Sequence, residues 1–201
     1  MCTPWDLVSA ELLLETEISA FKIASADLTN HELLSFVAGF GLPMVVSTGM
    51  SSEEEILQST SLLHQRGAVF ALLHSNSTYP TPFRDVNLRY MSRLAQLSGV
   101  HIGYSGHERG SSIAVAAVAL GARIIEKHIT LDRTQLGVDH VVSLEPAEFA
   151  SMVRSVRDVE AAMGSDKERA ISQGESMNRL SLSKSLVSSR DLPPGSIVKE
   201  E

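Results

Sequence analysis

Short apolar runs alternate with longer amphipathic ones along most of the chain. Segments 20–24, 43–47, 69–74, 100–104 and 123–129 are dense in Val, Ile, Leu and Phe and predict strands covered on both faces. Segments 9–16, 31–40, 53–65, 88–97, 112–120 and 147–163 predict the helices between and after them. Thr29 with Glu32, and Ser51 with Glu54, have the spacing of a capping box, and Pro146 suits a first helical position. Strand–helix repetition of this kind predicts an α/β fold with parallel strands and right-handed crossovers. Doubly wound sheets and closed barrels share the pattern, so periodicity leaves both open.

The texture changes after Gly164. Residues 165–184 are polar without an apolar period and predict a linker or surface arm. Segment 185–188 and the residues from Ser196 to Val198 read as strands around the Asp191-Leu192-Pro193-Pro194-Gly195 turn, the start of a second domain.

Composition narrows the partners. The net charge of −7, with both signs scattered, offers no basic track for a nucleic acid. The longest apolar stretch, 113–122, is too short to span a bilayer, and the first residues lack the pattern of a signal peptide. A single cysteine, Cys2, permits no intrachain disulfide, and a reducing cytoplasm is the expected compartment.

Polar residues gather where the strands end. Lys22 and Ser25 follow the first, Ser47-Thr48-Gly49 the second, Ser75, Ser77 and Tyr79 the third, Ser105 and His107 the fourth, and Glu126 and His128 the fifth. In parallel α/β folds this edge is where sites are built. Residues two apart on a strand share a face, so Glu126 and His128 project together while Lys127 points away. A lone histidine is more often a hydrogen-bonded core residue; His107 and His128 as a pair, with Glu126 beside them, favour a divalent metal. Lys22, inside an apolar strand, implies either an anionic ligand or an ammonium snorkelling from a strand end. Ser25, Ser47 and Ser105 can donate to such an anion, although single serines often mark turns and caps. Asp139 lies in a loop past the last strand, His74 reads as structural, His31 and His64 as helix-surface residues, and His140 has no evident partner. Arg109 is the arginine best placed to face the site.

In order, Phe21-Lys22-Ile23-Ala24-Ser25-Ala26-Asp27, Val45-Val46-Ser47-Thr48-Gly49-Met50, Leu72-Leu73-His74-Ser75-Asn76-Ser77-Thr78-Tyr79-Pro80, Gly103-Tyr104-Ser105-Gly106-His107, Glu126-Lys127-His128 and Gly137-Val138-Asp139 resemble the motifs of the sialic acid synthases. That family includes N-acetylneuraminate, legionaminic and pseudaminic acid synthases. The resemblance implies a partial (β/α)8 TIM barrel, about strands 3 to 8, over residues 1–164, then a linker over 165–184 and the beginning of an antifreeze-like domain over 185–201. It implies condensation of phosphoenolpyruvate with an N-acylated hexosamine, by a homodimer in the full-length protein. Thr3, Lys22, Ser25, Ser47, Ser77 and Ser105 would position phosphoenolpyruvate, and Asp27, Tyr79 and Asp139 would meet the sugar. Lys22, Asp27, Tyr79, Glu126 and Asp139 would serve the chemistry, and His107 and His128 would hold Mn2+, or Mg2+ or Co2+. Asp27 stands where some relatives carry glutamate, and Ser77 where some carry asparagine. Thr3-Pro4-Trp5 resembles the end of a third barrel strand, so the chain is expected to be truncated at both ends and inactive alone. Another phosphoenolpyruvate-using barrel synthase, or a non-catalytic oligomerisation or regulatory fragment, are the alternatives.

Overall fold

The computed structural model describes residues 1–197. It divides at Gly164 into a unit spanning Met1–Gly164 and a second beginning at Ser165.

In the first unit, strands β1 (Phe21–Ile23), β2 (Met44–Ser47), β3 (Phe70–Ser75), β4 (Ile102–Gly106) and β5 (Ile125–Lys127) form one all-parallel sheet in chain order. Helices occupy the connections: α1 (Leu7–Glu15) precedes β1, α2 (His31–Ala38) and α3 (Glu53–Gln65) follow β1 and β2, and α4 (Phe83–Val86) and α5 (Tyr90–Ser98) lie between β3 and β4. Next, α6 (Ser112–Ala119) joins β4 to β5, and α7 (Pro146–Met163) closes the unit. Consecutive order with a helix between neighbours is the topology of a (β/α) barrel rather than of a doubly wound sheet, whose order reverses. Single bridges extend the arc at each edge, Cys2 to Phe21 and Ile129 to Leu144.

The strands sort their side chains by parity. Phe21, Ile23, Met44, Val46, Phe70, Leu72, Ile102 and Tyr104 join Leu33, Leu34, Val37, Ile56, Leu63, Met91 and Leu94 of the helices in one buried cluster. The alternate residues, including Lys22, Ser47, Ser105 and Glu126, face inward. Register keeps the polar ones level: Ser75 pairs with Ser105, which pairs with Glu126. A smaller cluster of Ala114, Leu144 and Met152 seats α7.

Two helix starts differ from expectation. Asn30, not Thr29, caps α2 by accepting from the Leu33 amide at 3.2 Å, in keeping with asparagine's better capping geometry. The capping box of α3 is Ser52 with Glu55, one residue beyond Ser51 and Glu54; Ser-Ser-Glu-Glu-Glu satisfies the spacing in both registers. Pro146 does open α7.

In the second unit, the stretch expected to lack regular structure holds helix α8 (Gln173–Leu182), started by a Ser172–Glu175 capping box and with no buried residue. Residues 185–188 form no strand, nor do residues 196 and 197, and Val198 lies outside the described residues.

Candidate active site

The inward polar residues converge on a cleft of about 520 Å3 at the C-terminal ends of the strands. Thr3, Lys22, Ser25, Ser47, Ser77, Tyr79, Ser105, His107, Glu126, His128 and Asp139 all line it. Of the residues to which the resemblance assigns a role, Asp27 alone is not among them. It ends a one-turn 3-10 helix after β1, where Oδ1 accepts from Asn30 Nδ2 at 3.3 Å and Oδ2 is enclosed without a partner.

Lys22 sits at the floor, 8% exposed. Its Nζ donates to Ile23 O and Ser47 Oγ, both at 2.8 Å, and stands 3.7 Å from Glu126 Oε2. Of the two readings of Lys22, the structure favours an ammonium held at an anion, with Glu126 as a carboxylate inside the chain. Burial pulls this ammonium below the ordinary lysine range, and Glu126 partly restores it. Ser105 Oγ donates to Glu126 Oε1 at 2.7 Å, fixing the carboxylate from the neighbouring strand.

Behind two of the lining hydroxyls stands Gly49, whose amide donates to Ser25 Oγ at 3.1 Å. A Cβ there would stand 2.8 Å from Ser25 Oγ and closer still to Ser77 Oγ, so the missing side chain lets these two hydroxyls share one spot. With Lys22 and Ser47 alongside, this is a cradle of donors suited to an anion.

His107 and His128 line the same cleft, each one residue past the end of its strand, their rings 5.2 Å apart. His107 Nδ1 lies 2.7 Å from Asn76 O. A carbonyl oxygen only accepts, so Nδ1 carries the proton and Nε2 keeps its lone pair. That lone pair faces Tyr79 Oη at 3.1 Å. Burial is the main cause that holds the His107 ring below the ordinary histidine range. A neutral imidazole anchored at Nδ1 by a carbonyl, with an unprotonated Nε2 toward the cleft, is how a metal-ligating histidine is normally oriented, though here that lone pair is met by the Tyr79 hydroxyl. An ion at these two imidazoles would take its other ligands from substrate and water. Among the described residues no cluster of three or more His, Cys, Asp or Glu is placed to hold a metal.

The Tyr79 ring lies 4.2 Å from that of His107 and 5.8 Å from that of His128. Burial, then Asp139 and Glu126, push its phenol above the ordinary tyrosine range, keeping it protonated. Asp139 Oδ1 stands 4.0 Å from His128 Nδ1. Its loop is pinned by Ser143 Oγ donating to Asp139 O at 2.7 Å, and His140 finds a partner in Thr130 Oγ1 at 2.7 Å.

Other expectations resolve simply. His74 is a core residue bonded to Val86 O at 2.7 Å, and His31 and His64 lie on exposed helix positions. Arg109 is exposed and does not line the cleft. Trp5, Ala24, Ala26 and Met50 complete the lining. The carbonyl of Asn76 and the buried Glu108–Lys127 pair were not foreseen; a backbone acceptor leaves no trace in sequence, and Glu108 reads as a loop residue.

The NeuB family pattern matches residues 1–168. The chain is 40% identical over 203 residues to the N,N'-diacetyllegionaminic acid synthase of Campylobacter jejuni, covering 100% of this chain and 60% of that protein. It is 43% identical over 194 residues to human N-acetylneuraminate-9-phosphate synthase, covering 96% and 54% of the two chains. A crystal structure of the N-acetylneuraminic acid synthetase of Leptospira borgpetersenii, solved with citrate, superposes with a TM-score of 0.82 at 38% identity, over 90% of this chain and 64% of that one. The five-stranded arc is therefore part of a TIM-barrel-like fold, and the chain spans little more than half the length of these curated relatives. With that match running from the first residue past the last helix of the barrel unit, the chain belongs to the NeuB family.

Proposed function

We propose that this chain forms the greater part of the active barrel of a synthase that joins phosphoenolpyruvate to the open-chain aldehyde of an N-acylated hexosamine. The products are a nine-carbon 2-keto sugar acid and inorganic phosphate. One observation carries the reading: a buried lysine with a serine cradle and a histidine pair line one and the same cleft.

Phosphoenolpyruvate is an anion at both ends, and the cradle of Lys22, Ser25, Ser47 and Ser77, with Thr3 and Ser105 beside it, supplies its donors. Tyr79 and Asp139, on loops beside the histidine pair, meet the sugar, and Asp27 takes part only if substrate reaches its enclosed carboxylate. C3 of phosphoenolpyruvate bonds to the aldehyde carbon, whose oxygen becomes the hydroxyl at C4. Water then adds at C2, and Glu126 takes up one of its protons and passes it on, offsetting the proton gained by the C4 oxygen. The bond from C2 to the phosphate oxygen breaks as the new C2 hydroxyl becomes the ketone, and its proton leaves with phosphate. Oriented donors at oxygens where negative charge develops account for most of the acceleration. A divalent ion, Mn2+ or else Mg2+ or Co2+, held by His107 and His128, would supply Lewis acidity at the aldehyde oxygen.

The test is phosphate release by the complete gene product with phosphoenolpyruvate, Mn2+ and a panel of N-acylated hexosamines that includes N-acetylmannosamine. Release that depends on one of the sugars is expected, and His107→Ala should abolish it. A folded, metal-loaded protein that releases phosphate with none of them would overturn the proposal.

A further inference from the structure

Glu126 and His128 face the cleft, and the residue between them faces the other way. Lys127 Nζ meets Glu108 Oε1 at 2.9 Å, and both side chains are 0% exposed. The same ammonium donates to the Glu108 carbonyl, and Tyr104 Oη donates to Glu108 Oε2 at 2.6 Å. Both carboxylate oxygens and the carbonyl are thereby satisfied. Gly106 leaves the space for this: a Cβ there would lie 2.7 Å from Glu108 Oε2 and 2.7 Å from the Tyr104 ring.

Glu108 directly follows His107, and Lys127 directly precedes His128. The β4–β5 register ends at Gly106 opposite Lys127, so the histidines lie one step past the last rung of the ladder. The ladder thus sets the two histidines side by side, and no further rung joins them beyond it. His107 is tied to the β3 side, through Asn76 O at 2.7 Å and the Thr81 amide on its carbonyl at 3.1 Å. His128 is tied to the opposite edge, where its carbonyl accepts from the Leu144 amide at 2.9 Å. Beyond the last rung, the ion pair is a second link, joining the residue after His107 to the residue before His128.

We propose that Lys127 and Glu108, with Tyr104 behind them, are positioning residues that set the spacing of His107 and His128 for the divalent ion. This rests on the metal reading above. A purely stabilising role is a poor explanation for such a pair. Two charges withdrawn from water recover little net stability compared with apolar residues of the same volume, whereas they hold a fixed, directional distance. Residues behind metal-ligating histidines typically change metal affinity by about 10- to 100-fold when removed.

The intact protein should be titrated with Mn2+ alone, following the resonance of the free ion, for wild type, the Lys127→Met/Glu108→Leu double variant and Tyr104→Phe. The double variant is expected to melt no lower than wild type yet bind Mn2+ about 10- to 100-fold more weakly, with metal-free phosphoenolpyruvate affinity unchanged. Tyr104→Phe, which removes one hydroxyl and keeps the ion pair, should weaken Mn2+ by about threefold or more. A folded double variant with wild-type Mn2+ affinity would refute the clamp. Should that variant fail to fold, wild-type affinity in Tyr104→Phe refutes it instead. If wild type binds no Mn2+, or His107→Ala binds it equally well, the metal reading itself falls and the clamp with it.

Discussion

Gly49→Ala separates the anion cradle from the scaffold that carries it. Gly49 does not have a left-handed backbone, so alanine is conformationally allowed there. The atoms that its methyl would meet closest are the hydroxyls of Ser77 and Ser25, the latter at 2.8 Å. Hydroxyls rotate away at little cost, so the fold should survive. With less than about 1 kcal/mol lost, Tm should move by no more than about 4 °C in a unit of this size. The cradle should not survive. The methyl fills the spot that the two hydroxyls share and turns both from the anion. Hydrogen bonds to a charged group contribute about 1.5–3 kcal/mol each, so losing one to two of them costs about 3 kcal/mol, or roughly 100-fold in affinity. Isothermal titration of phosphoenolpyruvate into both proteins, with thermal melts beside it, reads the two effects separately. Wild-type affinity in a folded variant would show that the anion lies elsewhere and that Ser25 and Ser77 are ordinary turn residues.

A contrasting glycine and a buried histidine give two more tests. Gly103→Ala places a Cβ 2.5 Å from the Ile124 carbonyl and 2.8 Å from Ile124 Cβ, where backbone must move; overpacking of this kind costs about 3 kcal/mol, and Tm should fall by roughly 6–12 °C. A melt within 2 °C of wild type would contradict that geometry. His74 is held below its ordinary value of 6.5 mainly by burial, against the opposing bonds to the Val86 and Asn87 backbone. Below that pH the unfolded chain takes up a proton here before the folded one, so stability should decline as pH falls from about 6.5, by at most about 1.4 kcal/mol per pH unit from this group. His74→Gln should flatten that decline in denaturant titrations between about pH 5 and 7, and an unaltered slope would assign it to other groups.

Much of the fold was legible because a barrel strand reports both its faces. All five strands lie inside or within two residues of the predicted segments, since the outward residues from Phe21 to Tyr104 are apolar apart from His74. Strand parity and the polar residues just past the strand ends predicted much of the cleft lining, Asp139 was read from its loop, and the resemblance added Thr3. Caps were legible only to within a residue, because Ser51-Ser52 and Glu54-Glu55 offer the same spacing twice. Helix α8 escaped because its sequence lacks an apolar stripe and it buries nothing. Asp27 was carried by its motif, yet the turn after β1 directs its carboxylate toward Asn30 and an enclosed space.

The Glu108–Lys127 pair escaped for a more general reason. Parity says that Lys127 points away from Glu126 and His128, but not what it meets, because its partner lies 19 positions away in a Ser-Gly-His-Glu-Arg-Gly stretch that reads as loop. What makes the pairing possible is an absence, the missing side chain of Gly106, which frees the space beneath β4 that Glu108 fills. In a motif such as Glu126-Lys127-His128 the outward residue is as constrained as its inward neighbours, though by geometry rather than by contact with substrate. A search confined to the cleft lining would pass over Lys127, and a catalogue of buried ion pairs would file it under stability. Its position, one residue before His128 and bonded one residue after His107, argues instead that the outer face of this strand sets the distances on which the inner face depends.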